Sequence, residues 1–165
     1  MPQLIQRKID GSDSFNRSWA EYRAGFSDNG GNYWLGNDLL SQLTQTGRYK
    51  LRFDLQARNG SWYYAEYSTF VVLGEAHNYR LQVSGYSGNA GDAFSRHNGL
   101  EFTTYDRDND VWTSSVNPSR FNCAVFRGGG CWFGGCSACD FNSARIDFRW
   151  TWQLPLQTTR MWLTC

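Results

Sequence analysis

The sequence predicts a mixed α+β chain. Two short stretches of helical periodicity open it, strict strand alternation follows, and an Asn-Gly turn joins two of the strands into a hairpin. Between Ser14 and Phe26 the large apolar residues Phe15, Trp19, Tyr22 and Phe26 are spaced four, three and four apart, as on one helical face. Asp13 or Ser14 can cap this helix and Gly25 can end it. A second helix runs from Asn37 or Asp38 to about Gln45, with Asn37 as its N-cap and Gly47 as its stop. From Arg48 to Ala57, Tyr49, Leu51, Phe53, Leu55 and Ala57 alternate with Lys50, Arg52, Asp54 and Gln56, the pattern of a half-buried strand. Arg58-Asn59-Gly60-Ser61 makes the turn, Trp62 to Leu73 returns, and Tyr79 to Val83 adds a third strand. After Gly85 periodicity gives way to Gly, Asn, Asp and Ser through about Ser143, and so long an irregular stretch inside a compact domain is usually functional. A last apolar segment, Ile146 to Leu163, returns to the sheet, with Pro155 marking a break or an edge.

Composition narrows the function classes. The chain has 165 residues, 41% hydrophobic and 19% charged, which fits one globular domain or a large part of one. A net charge of +1 and the lack of a basic stripe argue against nucleic acid or an acidic membrane as partner. The longest purely apolar run, Phe70 to Leu73, is far too short to span a bilayer. Aromatic residues make up 17%, there are 17 glycines, and 14 arginines stand against two lysines, Lys8 and Lys50. All five cysteines follow residue 122 and four lie within Cys123 to Cys139, a locally stapled, loop-rich pattern that favours an oxidising compartment. Two N-x-S sequons, at Asn16 and Asn59, agree with a secreted glycoprotein. The first residues contain no apolar signal core, so an export signal either lies upstream or does not exist.

The chemistry-bearing residues gather in the irregular stretch. Asp106, Asp108 and Asp110 alternate, and three carboxylates so close repel one another unless solvent or a cation screens them. Hard oxygens on a loop suit Ca²⁺. The run is not an EF-hand, because position six is Val111 and position twelve is Asn117. From spacing alone, a solvated acidic turn and a metal loop both remain open. So do local disulfides and a zinc knuckle of Cys123, Cys131, Cys136 and Cys139, although only Cys136 to Cys139 has a C-x-x-C grip. No G-x-S-x-G, phosphate-cradling loop or H-E-x-x-H is present, and His97 reads as a buried, hydrogen-bonded side chain. The chain therefore reads as a non-enzyme. The enzymatic rival is a glycosidase, which requires two carboxyls facing each other across a cleft, one with a raised pKa.

Several motifs, in order, resemble the fibrinogen C-terminal domain family, which includes ficolins, tachylectins, angiopoietins, tenascins and the fibrinogen chains. They are Ile5 to Gly11, Phe15 to Trp19 with Tyr22, Gly25 and Phe26, Tyr33 to Asn37, Ala65-Glu66-Tyr67, Asn78 to Leu81, Gly85 to Asp92, His97-Asn98-Gly99, Asp106 to Asp110 and Asn122-Cys123-Ala124. The resemblance implies a secreted α+β recognition domain: a twisted antiparallel sheet, two short helices and a loop-rich calcium subdomain. Residues 1–165 then form one partial domain, with sheet and helices over about 1–100 and the calcium and ligand subdomain plus returning strand over about 101–165. The family's preceding small subdomain would be missing, so the chain looks N-terminally truncated, and any oligomerising stem would precede Met1.

Carried over residue by residue, the resemblance implies Ca²⁺ on the side chains of Asp108 and Asp110 and the backbone carbonyls of Trp112 and Ser114. It pairs Cys123 with Cys136. Cys131 and Cys139 match no family cysteines and are left to a second local bridge, with Cys165 unpaired. The ligand pocket would use Arg127, Trp132, Phe133 and Ser137. Family members that bind acetyl groups have a His directly after the second cysteine, where this sequence has Ser137, and a longer connection than Asn142 to Ile146. Acetylated ligands are therefore expected to bind weakly or not at all. The implied function is an extracellular, calcium-dependent recognition module for carbohydrate or acetylated surfaces, of the innate-immune type. Its alternative is a protein-receptor ligand domain, angiopoietin-like or tenascin-like, without sugar binding.

Overall fold

The computed structural model describes residues 1–10, 12–112, 121–145 and 148–165. A seven-stranded antiparallel sheet organises them, in the order β2-β3-β1-β7-β4-β5-β6. The strands are β1 (Gln3–Lys8), β2 (Phe26–Ser27), β3 (Tyr33–Trp34), β4 (Lys50–Ala57), β5 (Trp62–Val72), β6 (Leu81–Gly88) and β7 (Leu156–Thr164). The returning C-terminal segment is thus an interior strand, paired with both β1 and β4, and it begins directly after Pro155.

The β4 alternation behaves as its sequence requires. Leu51, Phe53, Leu55 and Ala57 are buried while the intervening Arg52, Asp54 and Gln56 remain partly exposed. Arg52 sits at the hub of the polar face, 2.9 Å from Asp54 and 2.8 Å from Glu66 across the sheet. The third strand starts later than its pattern suggests, at Leu81, and continues to Gly88. Asn78 and Tyr79 have φ of +52° and +53°, which turn the chain before extension begins.

The first helix is shorter than the periodicity predicts, while the second has the expected extent but a different cap. Helix α1 covers Trp19–Ala24, because Ser18 and Glu21 form a capping box that places the start after Phe15. Phe15 and Phe26 lie outside it, yet their rings meet at 5.4 Å and Tyr22 meets Phe26 at 5.0 Å. The spacing marks one shared core cluster built from a turn, a helix and a strand. Helix α2 covers Asn37–Thr44, but its N-cap is Gly36. Asn37 is buried instead and accepts the Trp34 indole N–H at 3.0 Å.

The core is aromatic and continuous. Phe53 meets Phe94, Phe141 and Trp150 at 4.7–5.3 Å, while Trp34, Phe102 and Trp132 form a second group at 5.1–6.2 Å. Each such pair adds about 0.5–1.5 kcal/mol beyond area burial. The core also fastens the Gly-rich loop to the sheet layer. The Tyr22 hydroxyl donates to Phe15 O at 2.6 Å and accepts Gly130 N–H at 2.9 Å. A Cβ at Gly130 would lie 2.8 Å from the Tyr22 ring and 3.0 Å from Phe102, so only glycine permits this approach. A buried amide network adds to the tie: Gln6 Nε2 donates to Phe141 O and Thr159 Oγ1, both at 2.9 Å, and to Asn142 Oδ1 at 3.0 Å.

Candidate functional site

The acidic run separates into one carboxylate that braces α1 and two that are linked to each other. Asp106 Oδ1 accepts the backbone N–H of Trp19 at 2.9 Å and the Thr104 hydroxyl at 2.7 Å, which commits it to the first turn of α1. Asp108 Oδ1 accepts Asp110 N–H at 3.2 Å. Asp110 is fully buried, with Oδ1 accepting Trp112 N–H at 2.9 Å and Oδ2 accepting Cys123 N–H at 2.8 Å. Burial pushes its pKa up, the two amides pull it down, and the neighbouring Asp108 pushes it up again, with a net rise.

A carboxylate raised by burial and by an adjacent carboxylate is one that a cation would relieve, and both donors are hard oxygens suited to Ca²⁺. Among the described residues no group of three or more His, Cys, Asp or Glu side chains converges, so carbonyls would have to complete the shell. Trp112 O already accepts Phe121 N–H at 3.2 Å and retains one lone pair for an ion. Ser114, the fourth expected donor, lies outside the described residues.

The cysteines pair as Cys123–Cys136 and Cys131–Cys139, with Cα separations of 4.9 and 6.1 Å. The zinc alternative fails, because all four sulfurs are consumed in disulfides. Cys165 is exposed and free.

Helix α3 (Cys123–Arg127) joins the acidic loop to a pocket. At its start, Asn122 accepts Ala124 and Val125 N–H while donating to Thr104 O at 3.0 Å, and Asp110 holds Cys123 N–H. At its end, Arg127 enters the pocket, donating from Nε to Cys136 O at 2.6 Å and lying 3.4 Å from Asp140. Cys136 and Ala138 hold φ of +60° and +66°, a left-handed backbone on either side of Ser137 that costs each of them about 1 kcal/mol or more. The pocket has a volume of about 410 Å³, within the range of small-ligand sites.

Arg127 and Ser137 line this cavity, but Trp132 and Phe133 do not. Both are completely buried core residues. The Trp132 indole donates to Tyr79 O at 2.7 Å and its ring packs on Phe102, so the sequence expectation of pocket walls is corrected. The aromatic surface comes instead from Phe126, Trp150 and the highly exposed Trp152, and the polar surface is enlarged by Arg96, Arg145 and Arg149. The excess of arginine over lysine was the sequence signal for these residues. It gave no position.

His97 is buried beneath the pocket, with its ring nitrogens 2.9 Å from Trp132 O and 3.0 Å from Ala138 O. Burial lowers its pKa against the opposing pull of the two carbonyls, so it is a structural strut. Asp92 does not suit a glycosidase acid either. Burial raises its pKa, but hydrogen bonds from Ser95 and Tyr67 outweigh this and hold it below the usual carboxylate range.

An antiparallel sheet with its C-terminal strand in the interior, overlaid by a disulfide-stapled loop layer that carries a polar pocket, defines a fibrinogen-like globe. The fibrinogen-like globe domain of human ANGPTL2 superimposes with a TM-score of 0.84 at 35% identity, covering 99% of this chain and 79% of that one. The chain belongs to the family described as fibrinogen beta and gamma chains, C-terminal globular domain, whose model matches residues 3–161. Human (Homo sapiens) ficolin-3 is 44% identical over 140 residues, covering 84% of this chain and 44% of ficolin-3. Mouse (Mus musculus) angiopoietin-related protein 2 is 43% identical over 133 residues, covering 81% of this chain and 26% of that protein. The chain thus spans less than half the length of these curated relatives. Lamprey fibrin D-dimer, solved in complex with the peptide ligand Gly-His-Arg-Pro-amide, matches with a TM-score of 0.80 at 30% identity, covering 97% of this chain and 60% of that one. No helix among the described residues is long and apolar enough to cross a membrane.

Proposed function

We propose that this domain is an extracellular recognition module that binds a saccharide in the pocket beside α3, with a Ca²⁺ ion on Asp108 and Asp110 setting the pose of that helix. The observation that carries this reading is the two-ended tether of α3. Asp110 holds its first residue, Cys123, and its last, Arg127, lines the pocket. An ion that neutralises the two carboxylates would stiffen the loop that anchors Cys123 and so preorganise the pocket. Two disulfides within seventeen residues support an oxidising, extracellular setting. Kinship with ficolin-3 supports the lectin-like reading. An acetyl group alone would be held weakly, since Ser137 offers a hydroxyl where an imidazole was expected and the aromatic pair Trp132 and Phe133 is withdrawn into the core.

A second reading, a docking domain for a protein receptor, is supported by kinship with the angiopoietin-related proteins and by the apolar rim. Val125, Phe126 and Trp152 are 62%, 45% and 89% exposed, surfaces that a protein partner would cover. A glycan array probed with and without EDTA separates the two. Calcium-dependent glycan binding is expected; absence of binding to every glycan would discard the lectin reading in favour of the receptor one.

A further inference from the structure

We infer that the pocket selects saccharides carrying a carboxylate or sulfate group over neutral ones, a reading that rests on the proposed saccharide-binding function. Among the described residues, four arginines, Arg96, Arg127, Arg145 and Arg149, line the cavity, against two carboxylates, Asp92 and Asp140. The chain's net charge of +1 hides this local excess.

Both carboxylates are already engaged within the domain. Asp92 Oδ1 accepts the Tyr67 hydroxyl at 2.8 Å and Ser95 N–H at 3.1 Å, while Asp140 lies 3.4 Å from Arg127. Arg149, by contrast, holds more donors than its internal contact consumes. Arg149 spends one N–H on Trp152 O at 3.1 Å, out of five. Arg127 and Arg145 flank the Phe126 ring, each 5.3 Å from its centroid, which places two guanidinium groups at the pocket edge. Planar forks of this kind pair bidentately with a carboxylate or sulfate, and a lysine-lined pocket would offer only point charges. The exposed indole of Trp152 supplies an apolar platform for a sugar ring, and a volume of about 410 Å³ admits a mono- or disaccharide. A cationic ligand meets the wrong field. Gly-His-Arg-Pro-amide, with its terminal ammonium and guanidinium, would be repelled.

The test is titration calorimetry of the purified chain in calcium buffer at fixed ionic strength. The probes are methyl glucuronide, N-acetylglucosamine 6-sulfate, N-acetylglucosamine, methyl glucoside and Gly-His-Arg-Pro-amide. The two acidic sugars are expected to bind at least tenfold more tightly than the neutral ones, with the preference falling as salt rises. Glucuronide against sulfate distinguishes the two sources of negative charge, and preference for either supports the proposal. Arg149→Gln and Arg96→Gln, checked for an unchanged melting temperature, should each reduce the ratio of acidic-sugar to neutral-sugar affinity at least threefold. Equal affinity for acidic and neutral sugars would overturn the inference and leave the saccharide reading standing. Binding of the cationic peptide alone, or of no saccharide at all, would overturn both.

Discussion

Replacing Asp110 by alanine is expected to destabilise the domain even where no calcium is present. The two Asp110 oxygens accept the backbone N–H groups of Trp112 and Cys123 at 2.9 and 2.8 Å within a fully buried site. Alanine leaves both amides without an acceptor, and each such loss costs about 1–3 kcal/mol. The carboxylate's own desolvation, visible in its raised pKa, is relieved by the change and offsets part of the loss. The net expectation is about 2–4 kcal/mol, or roughly 5–12 °C in Tm for a chain of this size. Asp108, partly exposed and accepting a longer bond from Asp110 N–H at 3.2 Å, supplies the contrast. Asp108→Ala should cost less than about 1.5 kcal/mol in EDTA and, under the proposed calcium site, should lose the rise in melting temperature that calcium is expected to give the parent. Differential scanning calorimetry of parent and both variants, in EDTA and in calcium, reads both effects. An Asp110→Ala melt within about 2 °C of the parent in EDTA would refute the assignment of this carboxylate as the clasp on α3.

The remaining expectations concern the core and the staples. Gly130→Ala should cost at least about 2 kcal/mol, because a Cβ there meets the Tyr22 and Phe102 rings and disturbs the Tyr22 hydroxyl bridge; chemical denaturation checks it, and a neutral effect would contradict the packing described. Lys8, fully buried with its ammonium 5.6 Å from the Phe15 ring and 5.2 Å from the Phe148 ring, has its pKa lowered by burial to about 8 from 10.5, a penalty of roughly 3 kcal/mol on the charged form. The unfolded chain keeps its proton to higher pH than the folded one. That penalty is therefore present in full below pH 8 and lifts as pH rises toward 10.5. Lys8→Met should thus be at least as stable as the parent at pH 7, its advantage shrinking between pH 8 and 10; a pH-independent difference would count against it. The double substitution Cys123→Ser with Cys136→Ser should cost about 2–4 kcal/mol by urea denaturation, with an unchanged midpoint as the contrary result.

Local chemistry was enough to read part of this protein from its sequence. The β4 alternation, the Asn-Gly hairpin and the return to the sheet after Pro155 follow from period and turn residues, which act over a few neighbours. The clustering of acidic residues and cysteines in one irregular stretch likewise marked the site region. The family motifs pointed to Cys123–Cys136 because their order survives in the chain.

Tertiary packing decided the rest. Strand β1 carries no alternation of apolar and polar residues because Gln6 and Lys8 are buried in it, and a buried glutamine is tolerable only with the partners Phe141, Asn142 and Thr159 that lie more than 130 residues away. The four-three-four spacing of Phe15, Trp19, Tyr22 and Phe26 was a true core signal but not one helix, since periodicity reports which side chains share a face and says nothing of whether the backbone between them is continuous. Trp132 and Phe133 illustrate the same limit from the other side. An aromatic pair beside a Gly-rich loop can face a ligand or the core, and the choice fell to Tyr79 O and Phe102, which accept the indole N–H and pack its ring. The arginines that line the pocket in their place come from a 3₁₀ turn, from α3 and from the approach to β7, segments far apart in sequence whose convergence only the folded chain could set.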